Sequence, residues 1–456
     1  MNREASFEQL DAELNARIDR LPRWGLSPVV FFIVGLSFFF AFYEISAIAY
    51  TLPTLIRRFD ITEAQTAYPV AANLLAYAIG AYVLGNIADS MGRRRALLLT
   101  VIVLTLGGIL TALSWDVWSL SAFRFVTGFG VGAEIAIAAT IMSEFSPSRL
   151  RGRYLQMNYL WGALGLATTP FVAIALLNAF PGIGWRLVYV LGALVAVLLL
   201  FMRGRWLPES PRWLILNGRE QEAERLVEGM EERCRSAIGH DLPPVPTVHA
   251  EARAEGLPTM QLFQPPYLGR ALVVLGFWLT WYVTVYAFLG YYPTILTERG
   301  LSESSGLLYS ALGQMAIPIG AILALLLVEV GQRKYYISTV AFVFAAALAL
   351  AALSTSGFLL WLGSFIASMM VAANAVGYLY TAEIFPTRAR ATATAVGDGF
   401  GHIGGVIAPF IVVWALGAVG GTGALWIMAA FVFVSGSIIL LGGIKTTGER
   451  LTELAN

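Results

Sequence analysis

The sequence predicts an all-α membrane protein with twelve transmembrane helices arranged as two pseudo-symmetric six-helix bundles. Three observations carry that prediction. Of the 456 residues, 57% are hydrophobic and only 13% are charged, with a mean hydropathy of +0.70. Soluble domains have about 25% charged residues, so this chain has too few to cover a water-facing surface. Apolar runs near the roughly 20 residues that span a bilayer occur twelve times. Finally, the second half of the chain repeats landmarks of the first.

The elements follow in order. Residues 1–23 (MNREASFEQLDAELNARIDRLPR) are charged and amphipathic, and the apolar run behind them is too long for a signal-peptide core. They read as a cytoplasmic amphipathic helix. Spans are expected at 27–50, 64–88, 95–114, 117–142, 152–178, 185–203, 269–292, 305–328, 335–354, 358–381, 389–415 and 421–444. A membrane β-barrel would instead alternate over segments of about 10 residues. The hydrophilic stretch 204–267, with a helix-like run (GREQEAERLVEGMEERCRSA) and then LPPVPT, separates spans six and seven. The expected organisation is an N-terminal bundle with its leading helix (1–203), a cytoplasmic linker with short helices (204–267) and a C-terminal bundle (268–456).

Basic residues in short loops set orientation. With the N-terminus inside, inner loops hold Arg93, Arg94, Arg95, Arg149, Arg151, Arg153, Arg333, Lys334, Arg388 and Arg390, and outer loops hold Arg57, Arg58, Arg186 and Arg299. Ten against four places both termini in the cytoplasm of an inner-membrane, multi-pass protein.

The repeat is specific. Glu144-Phe-Ser-Pro147-Ser-Arg149-Leu-Arg151 follows span four, and Glu383-Ile-Phe-Pro386-Thr-Arg388-Ala-Arg390 follows span ten, an offset of 239. A weaker echo sets GNIADSMGRRR (85–95) beside EVGQRK (329–334). Parallel repeats imply two bundles related by an axis along the membrane normal, with substrate bound between them near the midplane.

Several function classes are excluded. Net charge is +1 from 30 basic and 29 acidic residues, so no basic field exists for nucleic acid. The single cysteine, Cys234, cannot form an intrachain disulfide. No phosphate-loop motif points to ATP, no His/Cys pattern points to a metal, and no nucleophile constellation points to an enzyme. No cofactor is expected.

The residues resemble the major facilitator superfamily over nearly the whole chain. Gly85, Asp89, Gly92, Arg93, Arg94 and Arg95 look like its loop signature between spans two and three. PESPRWL (208–214), with Glu209 and Arg212, is similar to the sugar-porter signature, and RFVTGFGVG (124–132) to the span-four motif. The resemblance implies secondary transport by alternating access. The E-x-x-P-[ST]-R-x-R boxes and aromatic seventh span are similar to a branch holding niacin, aromatic-acid and organic-ion transporters. Span seven lacks the glutamines usual in hexose porters, and Gln332 stands where an arginine is expected, implying a weaker second gate.

Within this frame, Gly85 and Gly92 would permit close approach and a tight turn. Asp89, Arg93, Arg94, Glu134, Glu144, Arg151, Glu209, Arg212, Glu329, Glu383 and Arg390 would form a cytoplasmic gate. Charged groups within spans cost at least about 2.5–3.5 kcal/mol at a helix centre, so each is a functional candidate. Glu44 lies in an apolar first span and suits proton coupling. Arg124 is the only basic residue inside span four and must pair with Glu44, Asp398 or a substrate anion. Asp398 and His402 share a helix face in span eleven and could relay a proton or orient a substrate carboxylate, so His402 is also a substrate-binding candidate. Trp278, Trp281, Tyr282 and Tyr286 could stack on a flat substrate, with Tyr291 and Tyr292 in the interfacial belt. Asn73, Tyr77, Asn158, Trp161, Gln314, Asn374 and Tyr378 complete the binding candidates.

The expected function is a monomeric, proton-coupled symporter of a small organic molecule, an aromatic monocarboxylate such as nicotinate or hydroxybenzoate. Alternatives are a sugar or polyol symporter, an organic cation or drug antiporter, and a ligand-sensing transceptor.

Overall fold

The computed structural model describes residues 3–246, 259–328, 330–385 and 387–446, and every regular element among them is helical. Eleven stretches are long and apolar enough to cross a membrane. The last of them breaks at Gly420 (φ 68°, ψ 180°), a backbone region that glycine enters without a steric penalty. That break divides the helix Thr387–Gly442 into span 11 before Gly420 and span 12 after it, close to the expected boundary.

The first six spans are Pro28–Phe59, Glu63–Met91, Arg93–Ala112, Val117–Glu144, Ser148–Ala179 and Gly184–Trp206. Spans 7 to 10 are Leu268–Glu298, Glu303–Leu327, Arg333–Leu353 and Gly357–Glu383. Span 1 runs past its expected end at 50. Pro53 sits inside it without stopping it, and it ends only where Asp60 turns left-handed at φ 50°. Capping boxes start spans 2 (Thr62 with Gln65) and 4 (Asp116 with Ser119). Spans 8 and 10 are each interrupted at mid-depth, after Gln314 and after Ala373. The first interruption falls just before Pro318, which cannot continue a helix ladder.

Glycines set the tightest crossing. Cβ atoms added at Gly80, Gly128 and Gly132 would strike the backbones of Phe129, Asn73 and Tyr77, so spans 2 and 4 touch main chain to main chain. Gly85 does not join this contact: nothing lies within 4 Å of its Cβ position. The expected close approach at Gly85 is therefore absent.

Spans 2 and 11, 5 and 8, and 1 and 7 carry contacts between the halves. The ends bearing Arg93 and Glu144 are called the arginine side. On the opposite side, Arg57 of the first half pairs with Glu303 of the second. The Thr66 hydroxyl lies 3.5 Å from that of Tyr291, and Tyr68 packs edge-on against Phe410. The halves are closed together there.

The leading helix, Arg3–Asp19, packs Leu14 and Ile18 with Val227 and Met230 of the linker helix Glu220–Ile238. Arg17 and Arg20 clasp Glu231 at 2.7 and 2.6 Å. Burial pushes the Glu231 carboxyl up, but the two guanidiniums outweigh it and hold the carboxyl below its ordinary range.

Candidate substrate cavity and gates

Span 7 carries its aromatics at helical spacing, so Trp278, Tyr282 and Tyr286 present one face. That face lines a cavity between the halves together with Tyr77, Tyr159, Trp281, Asn374, Tyr378 and His402. Span 11 meets it closely: Cβ atoms at Gly401 and Gly405 would strike the Tyr282 and Tyr286 rings. The glycine-rich stretch of span 11 thus makes room for rings.

His402 is the hub. Its ring stacks on Tyr77 of the other half (4.5 Å, 13°) and lies 4.6 Å from the Tyr282 ring. Nδ1 lies 2.8 Å from the Asp398 carbonyl oxygen, which can only accept, so Nδ1 carries a hydrogen. Nε2 lies 3.2 Å from the Tyr286 hydroxyl. Neutral histidine accepts there, and a second proton on Nε2 reverses the bond. Asp398 Oδ1 accepts from Tyr282 at 2.7 Å and Tyr378 at 2.9 Å, while Oδ2 lies 3.7 Å from His402 Nδ1. The Asp398 side chain is 31% exposed. Trp278 Nε1–H donates to Thr381 at 3.0 Å, fixing its ring beside Tyr378. Asn374 adds a buried side-chain oxygen with no partner.

Other expected site residues lie elsewhere. Arg124 does not line the cavity. It is fully buried, with Nη1 3.4 Å from Glu44 Oε2 and Nη2 donating to the Glu44 carbonyl at 3.0 Å. Glu44 is equally sealed, its carboxylate set against Gly192, where a Cβ would collide with it. Asn73 donates to the Arg124 carbonyl at 2.9 Å and so belongs to the helix crossing. Trp161 packs on Gly35 and Phe32. Asn158 and Gln314 are buried with unpartnered polar atoms but do not line the cavity. Tyr291 and Tyr292 are not in an interfacial belt: both are buried, and Tyr292 donates to the Leu360 carbonyl at 2.9 Å.

On the arginine side, Arg93 joins Asp89 at 2.8 Å and Glu144 at 3.3 Å. Glu209 Oε1 accepts from the backbone N–H groups of Arg93 (2.7 Å) and Arg94 (3.2 Å) at the start of span 3. Gly92 (φ 99°) is needed here, because a Cβ would strike Glu209. Arg212 lies within electrostatic reach of Glu144. In the second half, Arg333 pairs with Glu383 at 3.4 Å, taking the part of Arg93 one position later, so Gln332 does not leave that loop unlatched. Arg390 Nε donates to the Ala382 carbonyl at 2.8 Å. Glu329 lies outside the described residues.

These pairs join helices within a half rather than across the two. Two gate candidates are also misplaced. Glu134 does not reach the loop cluster; it is buried against Arg203 of span 6 and accepts from Thr100 at 2.5 Å. Arg151 reaches only Ser148, on its own first turn, among the described residues. Sequence reading missed Arg203 and Tyr159. Arg203 stood at an expected span end, where an arginine normally reaches water.

A family profile described as Sugar (and other) transporter matches residues 26–456. The chain is 26% identical to a niacin transporter of Acinetobacter baylyi, covering 97% of this chain and 99% of that one. It is 30% identical to a 4-hydroxybenzoate transporter of Pseudomonas aeruginosa, over 70% of this chain and 69% of that one. A partially occluded, inward-open structure of the xylose transporter of E. coli superposes with a TM-score of 0.72 at 18% identity, covering 92% and 99% of the two chains.

Proposed function

We propose, because this chain belongs to the Sugar (and other) transporter family and so is a multi-pass carrier rather than an enzyme, that it is a proton-coupled importer of flat, ring-bearing monocarboxylates. Nicotinate and 4-hydroxybenzoate are the model substrates, and the niacin and 4-hydroxybenzoate relatives support that class. The arginine side faces the cytoplasm in this reading, and each chain works alone.

The observation that carries the proposal is the cavity's makeup: stacked rings from both halves around His402, with Asp398 bonded to two of its tyrosines. A planar ring is held by offset stacking. Ionised Asp398 repels a substrate carboxylate. A proton on the Asp398–His402 pair removes that repulsion and leaves an imidazolium or carboxylic acid to meet the anion. Proton and anion then bind together, which is the thermodynamic requirement for symport. Arg124, locked on Glu44, is not the anion's partner in this conformation.

One observation favours a second reading. Among the described residues no permanent cation lines the cavity, whereas the Asp398 carboxylate accepts from two of its tyrosines, a setting that also suits an organic cation. Proteoliposomes separate the two. With acid outside and neutral buffer inside, labelled nicotinate or 4-hydroxybenzoate should accumulate, nicotinamide should not, and Asp398→Asn should end accumulation. Choline efflux driven by inward proton flow, without nicotinate uptake, would overturn the carboxylate reading. Uptake of only xylose or inositol would move the function to sugars. Binding without counterflow would make the protein a sensor.

A further inference from the structure

We propose that a second cavity, on the arginine side, is a binding site for a phosphate-bearing anion. It measures about 570 Å³ and lies between the start of span 3, the loop after span 6 and the linker helix. Arg94 and Glu209 of the arginine-side cluster form part of its wall, and no substrate or proton step described above uses the cavity itself.

Four guanidiniums line it: Arg94 and Arg95 from the first turn of span 3, with Arg219 and Arg225 from the start of the linker helix. Two carboxylates also line it, and both are engaged. Glu209 Oε1 accepts from three backbone N–H groups, those of Arg93, Arg94 and Ser210. Glu222 holds Arg219, with Nε donating at 3.0 Å. Neither carboxylate pairs with the guanidinium of Arg94, Arg95 or Arg225 among the described residues. Arg94 gives one N–H to the Gly204 carbonyl, while its buried Nε has no partner. Arg95 and Arg225 make no hydrogen bond or ion pair among the described residues and stand exposed at the cavity.

Guanidiniums facing one space repel each other until an anion joins them, and a buried N–H without a partner costs free energy. Their planar forks match phosphate oxygens in bidentate fashion. The volume exceeds what phosphate alone would fill, and the remaining wall is apolar, with Trp213 and Leu98 among its residues. The occupant is therefore a phosphate ester with an apolar body. Leu98 lies in the second turn of a membrane-crossing helix, so the cavity sits at bilayer-surface depth. Both an anionic phospholipid headgroup and a soluble organic phosphate have this chemistry.

The test uses the full-length protein in zwitterionic detergent. Native mass spectrometry counts bound phosphatidylglycerol, and glycerol 3-phosphate is added as a soluble competitor. Arg95→Gln/Arg225→Gln should weaken phosphatidylglycerol binding about tenfold or more. Arg153→Gln/Arg233→Gln, exposed and outside the cavity, removes the same charge and should leave binding unchanged. Arg225→Glu alone, an exposed change on the linker helix, should also weaken it and keeps the test valid if the double variant is poorly folded. Competition by glycerol 3-phosphate assigns a site open to soluble phosphates; its failure to compete assigns a lipid site. Wild-type binding in both cavity variants, or an equal loss in the control pair, overturns the proposal.

Discussion

Glu44 and Arg124 show what one residue's surroundings decide. The sequence marks both as charges within apolar spans and offers Arg124 three partners: Glu44, Asp398 or a substrate anion. The fold selects Glu44, because span 6 places Gly192 where any larger residue would displace the carboxylate. Removing one member of a buried pair leaves the other charge uncompensated, at a cost of roughly 3–5 kcal/mol. Glu44→Gln should therefore lower the melting temperature, abolish accumulation of substrate against its gradient and spare counterflow. Accumulation at the wild-type level in proteoliposomes would remove Glu44 from coupling. The Asp398–His402 pairing was legible from a spacing of four on one helix. The four tyrosines that complete it, Tyr77, Tyr282, Tyr286 and Tyr378, come from spans 2, 7 and 10, and no spacing rule reaches across those distances.

At the scale of elements, span existence was readable from hydropathy, because a bilayer imposes a length that the chain must meet. Helix ends were less readable: span 1 continues through Pro53, whose lost hydrogen bond is tolerated within a packed bundle. Glycines divide into two kinds that sequence alone treats alike. Gly128 sits against the Asn73 backbone, and Gly85 faces open space. Gly128→Leu should drive spans 2 and 4 apart and abolish monodisperse, folded protein in size-exclusion chromatography. Gly85→Ala should fold at least as well as the parent, since alanine gains up to about 1 kcal/mol in a helix. If Gly85→Ala folds yet transports nothing, Gly85 has a neighbour in another conformation of the cycle.

For the whole molecule, the halves meet at mid-depth through Tyr77 and His402 and are fastened on the side opposite the arginine loops by Arg57 and Glu303. This exposed pair is worth about 0–1 kcal/mol, enough to bias a conformational equilibrium but not to lock it. Arg57→Glu should shift the population toward the form open on that side by roughly two- to fivefold, and adding Glu303→Arg should reverse the shift. Distances between spin labels at Ile61 and Leu301, in a Cys234→Ser background, read the two populations. A double variant that stays as open as the single one would show that the ion pair is not the fastening.

The sequence by itself determined the membrane class, the twelve spans and the twofold repeat. It also determined which residues carry charge where water is absent, because hydrophobic length, loop charge and buried ionisation act locally along the chain. Only the tertiary structure decided partners. It sealed Arg124 on Glu44 and moved Glu134 from the loop cluster to Arg203. It gathered rings from both halves around His402, and it turned Arg94, Arg95 and Arg225 toward one cavity. Partner choice depends on which helices pack side by side, and that is fixed by glycine contacts and side-chain volumes distant in sequence.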